Sequence, residues 1–244
     1  MAEPPVVLVT GVAQGIGRGI TKRLTESGYA VVGLDIADTP PAELVDFERI
    51  DITDAAAAAA ALDRLTRRHP IVRVVNNVGS SLRENVAEST GDTQRWLNRL
   101  NLGSVMLCVQ AALPAMRAAG FGRIVNITSR AVFGRETRSA YAATKSALAS
   151  LTRAWAVELA GDGITVNAVG PGMIDTELFR RNNPHNAPDV TRLRQAVPMQ
   201  RLGQPEEVAH AVAFFLDDRA SYITGQTVFV CGGLSLGTPP PPRA

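Results

Sequence analysis

Short apolar runs alternate with longer amphipathic stretches along almost the whole chain. Val6–Thr10, Ala30–Asp35, Ile71–Asn76, Gly122–Thr128, Thr165–Gly170 and Thr227–Cys231 are rich in valine and isoleucine and mostly lack a polar alternate position. Strands of a parallel sheet look like this, because helices cover both faces and leave no wet side. A weaker strand, Phe47–Ile50, precedes Asp51. The stretches between, Gly15–Ser27, Asp54–Arg68, Asp92–Ala119, Ser139–Ala160 and Glu206–Leu216, read as helices. Asp54 suits an N-cap and alanine is the best helix former, so Ala55–Ala61 reads as an ordinary crossover helix rather than low-complexity sequence. Pro114 predicts a kink or break within Asp92–Ala119. The alternation predicts a doubly wound α/β fold: one parallel sheet, right-handed crossovers and helices on both faces. Met173–Arg201 has no clean period and carries Pro184, Pro188 and Pro198; it is expected to be an irregular, lid-like segment. Pro239–Pro242 reads as an extended end, with 239–244 a flexible tail. With no repeat and no linker, residues 1–244 read as one domain.

Composition narrows the classes of function. At 244 residues the chain can build one large core. Its 25 basic and 23 acidic side chains leave a net charge of +2, and no basic run forms a stripe, which argues against a nucleic-acid partner. Arg67-Arg68 and Arg180-Arg181 read as solvated surface. Cys108 and Cys231 stand far apart, outside any C-x-x-C pattern, and read as small buried apolar residues. His69, His185 and His210 each lack a second ligand at metal spacing, so no metal site is expected. The N-terminal Met1-Ala-Glu-Pro-Pro5 has neither a basic nor an apolar leader segment, and no apolar run approaches transmembrane length. A soluble, cytoplasmic protein is the expectation.

Two clusters carry candidate chemistry. Directly after the first strand comes Thr10-Gly11-Val12-Ala13-Gln14-Gly15-Ile16-Gly17, which opens a helix. Glycines there let the backbone turn sharply and approach a pyrophosphate resting on the helix N-terminus. The spacing is G-x-x-x-G-x-G, so placement between strand and helix matters more than the pattern itself. The second strand ends in Asp35, whose carboxylate can accept hydrogen bonds from an adenine ribose and would repel a 2′-phosphate. Neither Ile36 nor Gln14 supplies an offsetting cation, and Arg18 lies inside the first helix. NAD is expected over NADP.

The second cluster is Tyr141-Ala-Ala-Thr-Lys145, with Ser129 upstream. A phenol and an ammonium at i and i+4 share one face of a helix. An ammonium close to a phenol favours the phenolate and lowers a pKa that is otherwise about 10. Such a tyrosine can exchange a proton with an alcohol or ketone oxygen near neutral pH, and a serine hydroxyl can hydrogen-bond the same oxygen. The spacing alone recurs by chance on amphipathic helices; its company makes it informative.

With these motifs in order, the chain resembles the short-chain dehydrogenase/reductase superfamily from about Val6 to Gly233. The resemblance implies a Rossmann-type fold with a site for NAD. The loop containing Gly11, Gln14, Gly15, Ile16 and Gly17 is the family's first motif. Asp51, with Ile52 beside it, resembles the adenine-contacting acid. Asn76-Asn77-Val78-Gly79 resembles the Asn-Asn-Ala-Gly motif, with Val78 in place of the usual alanine. Asn101 resembles the asparagine that holds a water beside the lysine, while Ser129, Tyr141 and Lys145 stand at family spacing. Pro171-Gly172-Met-Ile174-Asp-Thr176 resembles the stretch that holds the nicotinamide amide. Arg201-Leu-Gly-Gln-Pro-Glu-Glu-Val208 and Thr224-Gly-Gln226 through Gly232-Gly233 complete the match. The implied catalytic set is Asn101, Ser129, Tyr141 and Lys145, with Lys145 also binding the nicotinamide ribose.

The implied activity is NAD-dependent interconversion of a secondary alcohol and a ketone. Two alternatives stay open: a 3-oxoacyl-(acyl-carrier-protein) reductase-like ketoreductase, against which Asp35 argues, and a non-catalytic NAD(H)-binding sensor. Substrate-facing positions are drawn from Ser80–Arg83, Arg130–Arg135, Arg138 and the Met173–Arg201 segment. The arginines there read first as solvated or interface residues, with an acidic substrate as the alternative. A small-molecule alcohol or ketone partner and a homotetramer follow by family likeness.

Overall fold

The computed structural model describes residues 3–182 and 188–237. Its strands are β1 (Val6–Thr10), β2 (Ala30–Asp35), β3 (Asp46–Arg49), β4 (Arg73–Asn76), β5 (Gly122–Ile127), β6 (Ile164–Pro171) and β7 (Thr227–Val230). All pair in parallel in one sheet of order β3-β2-β1-β4-β5-β6-β7. The helices are α1 (Gly15–Glu26), α2 (Ala55–Arg68), α3 (Gly91–Asn98), α4 (Ser104–Ala119), α5 (Ser139–Leu159), α6 (Glu177–Asn182), α7 (Pro188–Gln195) and α8 (Pro205–Leu216).

Side chains alternate across the sheet and build two cores. Val6, Leu8, Val74 and Ile124 pack with Leu62 and Leu65 of α2, Cys108 and Met116 of α4 and Ala156 of α5. Val7, Val9, Val75 and Val125 face the other way, onto Ile20 and Leu24 of α1 and Val212 and Phe215 of α8. Strands β1 and β2 are thus apolar on both faces, which explains their valine-rich runs, whereas the edge strand β3 (Asp46–Arg49) is polar and only partly buried. Local chemistry sets the helix starts. The Asp54 carboxylate caps α2 by accepting from the amides of Ala56 and Ala57 at 3.1 and 3.0 Å.

Three expectations are corrected. Asp92–Ala119 is continuous helix from Gly91, but its irregularity is a π-helical turn at Arg99–Gly103, and the helix runs through Pro114 unbroken. By length and composition Gly91–Ala119 could cross a membrane, contrary to the expectation that no run could; Leu97, Val105, Cys108, Ala112 and Met116 are buried in the protein instead. The Met173–Arg201 segment is partly helical, containing α6 and α7. Pro188 opens α7, where its missing amide costs nothing. The expected tail 239–244 lies outside the described residues, as do Pro184 and His185.

The chain crosses from one half of the sheet to the other between β1 and its neighbours β2 and β4. Loops at the carboxyl ends of these strands therefore diverge, and the crevice between them is where such sheets bind ligands.

Candidate active site

A cleft of about 380 Å³ opens at that crevice, within the range of small-molecule sites. Its floor is the turn after β1, where Gly11 and Gly15 take φ values of +71° and +54°. Gly17 allows the closest approach: a Cβ there would lie 1.7 Å from the Gly11 carbonyl oxygen and 2.6 Å from Asn77 Nδ2. Asn77 ties the loop down, donating from Nδ2 to the carbonyls of Thr10 and Gly11 at 2.9 and 3.1 Å. The Thr10 hydroxyl accepts from the amides of Asn77 and Val78, each at 3.0 Å.

Gln14 precedes α1 without capping it, and no acidic residue occupies the first turn. The first-turn amides have no intrahelical partner, so a partial positive charge faces the cleft. Glu177 of α6 already answers it: its Oε2 accepts from the Gly15 amide at 3.1 Å. Asp35 accepts from the amides of Ala13 and Ala37 at 2.8 and 3.0 Å. Two arginines near that end are engaged, Arg18 with Glu43 at 2.7 Å and Arg49 with Asp38 at 2.9 Å.

At the other end α5 presents Tyr141 and Lys145. The Ser129 hydroxyl, at the end of the loop after β5, accepts from the Ala131 amide at 3.1 Å and lines the same cleft as Tyr141. Lys145 is buried. It donates from Nζ to the Ile127 carbonyl at 2.8 Å and lies 6.0 Å from the Tyr141 ring centre. Burial pulls its pKa down to about 8. The sequence expectation of a lowered tyrosine pKa is corrected here. Burial raises Tyr141 above its ordinary value, against the opposing influence of Ser129, Arg135 and Arg138.

Asn101, in the π-helical turn, is fully buried behind the cleft. Its Oδ1 accepts from the Ser80 amide at 3.0 Å. Its Nδ2 donates to the Ser80 carbonyl and to Thr144 Oγ1 at 3.0 and 2.9 Å. It reaches the lysine's surroundings through Thr144 rather than by a bond to Lys145. Gly79 makes room for both: a Cβ there would lie 3.0 Å from Asn101 Oδ1 and 3.1 Å from Lys145 Nζ. An inserted residue in a helix, with its side chain turned to a special task, is a common use of a π-turn.

Ser129 and every expected cofactor residue except two line this one cleft. Asp51 is exposed, its Oδ1 turned back onto the Thr53 amide and hydroxyl at 2.9 and 2.7 Å. Ile52 is buried in the core and borders a second cavity between α2 and α4. Sequence reasoning missed Glu177 on the Gly15 amide, Thr144 as partner of Asn101, and the Ile127 carbonyl as partner of Lys145. None of these contacts leaves a spacing signal, since each joins segments far apart in the chain.

The cleft fits a dinucleotide in this chain's own terms. It has a helix N-terminus that Gln14 leaves uncapped, glycines where a Cβ would fill the turn, and a carboxylate at the end of β2. Comparison with known proteins agrees. Residues 11–235 match the family model described as Enoyl-(Acyl carrier protein) reductase. The chain is 37% identical over 248 residues to the 3-oxoacyl-(acyl-carrier-protein) reductase FabG of Pseudomonas aeruginosa, covering 95% of this chain and 97% of that one. It is 38% identical over 246 residues to the cis-4-hydroxycyclohexanecarboxylate dehydrogenase of Sinomonas cyclohexanicum, covering 93% and 95%. The ligand-free aldohexose dehydrogenase of Thermoplasma acidophilum superposes with a TM-score of 0.90 at 32% identity, covering 99% of this chain and 98% of that one. A 3-oxoacyl (acyl-carrier-protein) reductase of Agrobacterium tumefaciens, solved with NADP bound, does so at 0.84 and 28%, covering 93% of each. A doubly wound parallel sheet, a glycine-turn cleft and relatives aligned over nearly the whole length converge on one identity: the chain is an oxidoreductase of the short-chain dehydrogenase/reductase superfamily.

Proposed function

We propose that this protein interconverts a secondary alcohol and a ketone using NAD, with Tyr141 as the proton-transferring group. The observation that carries the proposal is the convergence of Ser129, Tyr141 and Lys145 on the same cleft as the glycine turn. NAD, when bound, supplies the hydride acceptor or donor. The chain's residues handle the proton. Ser129 holds the substrate oxygen by a hydrogen bond beside the Tyr141 hydroxyl. Tyr141 gives its proton to a ketone oxygen, or takes one from an alcohol. Its raised pKa suits the donor role. The base role draws on positive charge near the phenol, from Arg135, Arg138 and a Lys145 released from the Ile127 carbonyl. Asn101 keeps Ser80 and Thr144 in place around that lysine.

Asp35 supports NAD over NADP. A 2′-phosphate would meet its carboxylate, and both neighbouring arginines would first have to leave their own carboxylates. A second reading, an NADPH-dependent 3-oxoacyl reductase, draws on the Pseudomonas relative and on the NADP-bound neighbour. The names of the Sinomonas and Thermoplasma proteins favour the first reading, since both denote dehydrogenases of hydroxylated small molecules. A cytoplasmic homotetramer completes the proposal by family likeness; light scattering would test the assembly.

The experiment is a nicotinamide-absorbance screen of NAD⁺ and NADP⁺ against secondary alcohols, with Tyr141→Phe and Asp35→Asn alongside. Turnover preferring NAD⁺, lowered about a thousandfold in Tyr141→Phe, supports the proposal. In Asp35→Asn the preference should move toward NADP⁺. A wild type that prefers NADP⁺ overturns the reading of Asp35, and tyrosine-independent turnover overturns the mechanism.

A further inference from the structure

The reacting end of the cleft carries positive charge well beyond what moving a proton requires. Arg135 and Arg138 line the cleft beside Tyr141, and each acts electrostatically on that phenol. Their placement is built rather than incidental. The Arg138 amide donates to the Arg135 carbonyl at 3.2 Å, closing a turn that puts both guanidiniums on the cleft. Thr137, between them, has a φ of +56°, a left-handed conformation that a β-branched residue adopts only at a cost. A second loop braces the turn. The Glu84 amide donates to the Thr137 carbonyl at 2.9 Å, and Arg138 Nη1 donates to the Ser81 hydroxyl.

Among the described residues no carboxylate forms an ion pair with this charge: thirteen ion pairs are found, yet none includes Arg83, Arg130, Arg135 or Arg138. Arg130 Nε is buried without a partner. The acid on the bracing loop does not help: Glu84 Oε1 accepts from Thr93 at 3.0 Å, and Oε2 is buried with no partner. Burial, and then the neighbouring Arg138 and Arg130, make the charge of Arg135 less favourable than in water. Gathering unpaired cations at a half-buried site is unfavourable unless an anion arrives to meet them.

The dinucleotide's phosphates do not answer this need. They would belong at the N-terminus of α1, whereas these arginines flank the tyrosine. Resting on the oxidoreductase reading above, we propose that the substrate is a hydroxy acid or oxo acid. Its carboxylate binds Arg135 and Arg138 while its hydroxyl or carbonyl oxygen meets Ser129 and Tyr141. Planar guanidiniums match a carboxylate's two oxygens. Anchoring the acid also fixes which carbon faces the hydride position. A thioester-linked oxoacyl chain has no charge near its ketone and would leave both arginines unanswered.

The test pairs 3-hydroxybutyrate, mandelate and 3-hydroxycyclohexanecarboxylate with their methyl esters. Binding to the protein saturated with NAD⁺ is read by calorimetry, and kcat/KM is read in parallel. At least one acid should bind about 10- to 100-fold tighter than its ester, the scale of a charge-assisted hydrogen bond. That ratio should fall to a few-fold in Arg135→Gln and Arg138→Gln but persist in Arg117→Gln, whose arginine pairs with Asp162 on the surface. Esters that bind as well as the acids, no binding by any acid, or a ratio that survives both cleft substitutions would each overturn the proposal. The two readings fail differently. Acid-selective binding without turnover would sink the oxidoreductase reading and leave the anion site standing, whereas equal turnover of acid and ester would do the reverse.

Discussion

The two ends of the cleft satisfy their polar groups in opposite ways. At the glycine-turn end, Asn77 holds the carbonyls of Thr10 and Gly11, Thr10 holds two amides, Asp35 holds two more, and Arg18 and Arg49 are each paired. At the tyrosine end, Lys145 rests on a main-chain carbonyl, and Arg135 and Arg138 form no ion pair among the described residues. The first end is finished without its ligand. The second has charge left over, held in place by a strained turn at Thr137. A region that binds a common cofactor can be completed by backbone shape, whereas a region that selects one substrate keeps unspent interactions for it.

If the glycine-turn end is a matter of shape, filling it should be the most damaging change. Gly17→Ala puts a methyl group 1.7 Å from the Gly11 carbonyl. A loss of about 3 kcal/mol in unfolding free energy is expected, together with loss of NADH binding by fluorescence titration. Unchanged stability would show that the turn is softer than the comparison requires.

The tyrosine end should instead reveal itself through pH. The folded pKa of Lys145, about 8, lies below its ordinary 10.5. Between these values the unfolded chain binds a proton that the folded chain has released, so stability rises with pH, by about 2 kcal/mol from pH 8 to pH 10. Above pH 10 the raised Tyr141 pKa works the other way, because the unfolded phenol ionises first. Urea midpoints measured across this window should rise in wild type and stay flatter in Lys145→Met. Equal slopes would place the linkage elsewhere.

The smallest effect sharpens the boundary between the ends. Glu177 reaches from α6 to the Gly15 amide, on the spot where a pyrophosphate would meet the helix N-terminus. Glu177→Gln should tighten NADH binding about two- to fivefold by removing a competing charge. Weaker binding would mean that Glu177 shapes the site rather than blocking it.

The same contrast explains what could be read from the chain alone. Strands β1 and β2 were legible to the residue, because burial on both faces leaves a short, β-branched apolar run bounded by turn residues. The glycine turn was legible because backbone shape depends on residue type at fixed spacing. The π-helical turn at Arg99–Gly103 left no such mark; proline looked like the better reason for a break, yet α4 passes through Pro114. The direction of the Tyr141 pKa was misjudged because i and i+4 spacing says nothing of burial, which raises it, nor of the Ile127 carbonyl in β5 that holds Lys145. Arg135 and Arg138 were visible as arginines, but their lack of partners is a property of the folded charge distribution.

The most direct measurement of the account is isotope transfer from a secondary alcohol deuterated at the carbinol carbon. Deuterium should appear in the nicotinamide ring of NADH formed by wild type, with turnover lost in Tyr141→Phe although that variant still binds NADH. Tight NADH binding with no label transferred from any alcohol, hydroxy acids included, would contradict it and leave a dinucleotide-binding protein without this chemistry.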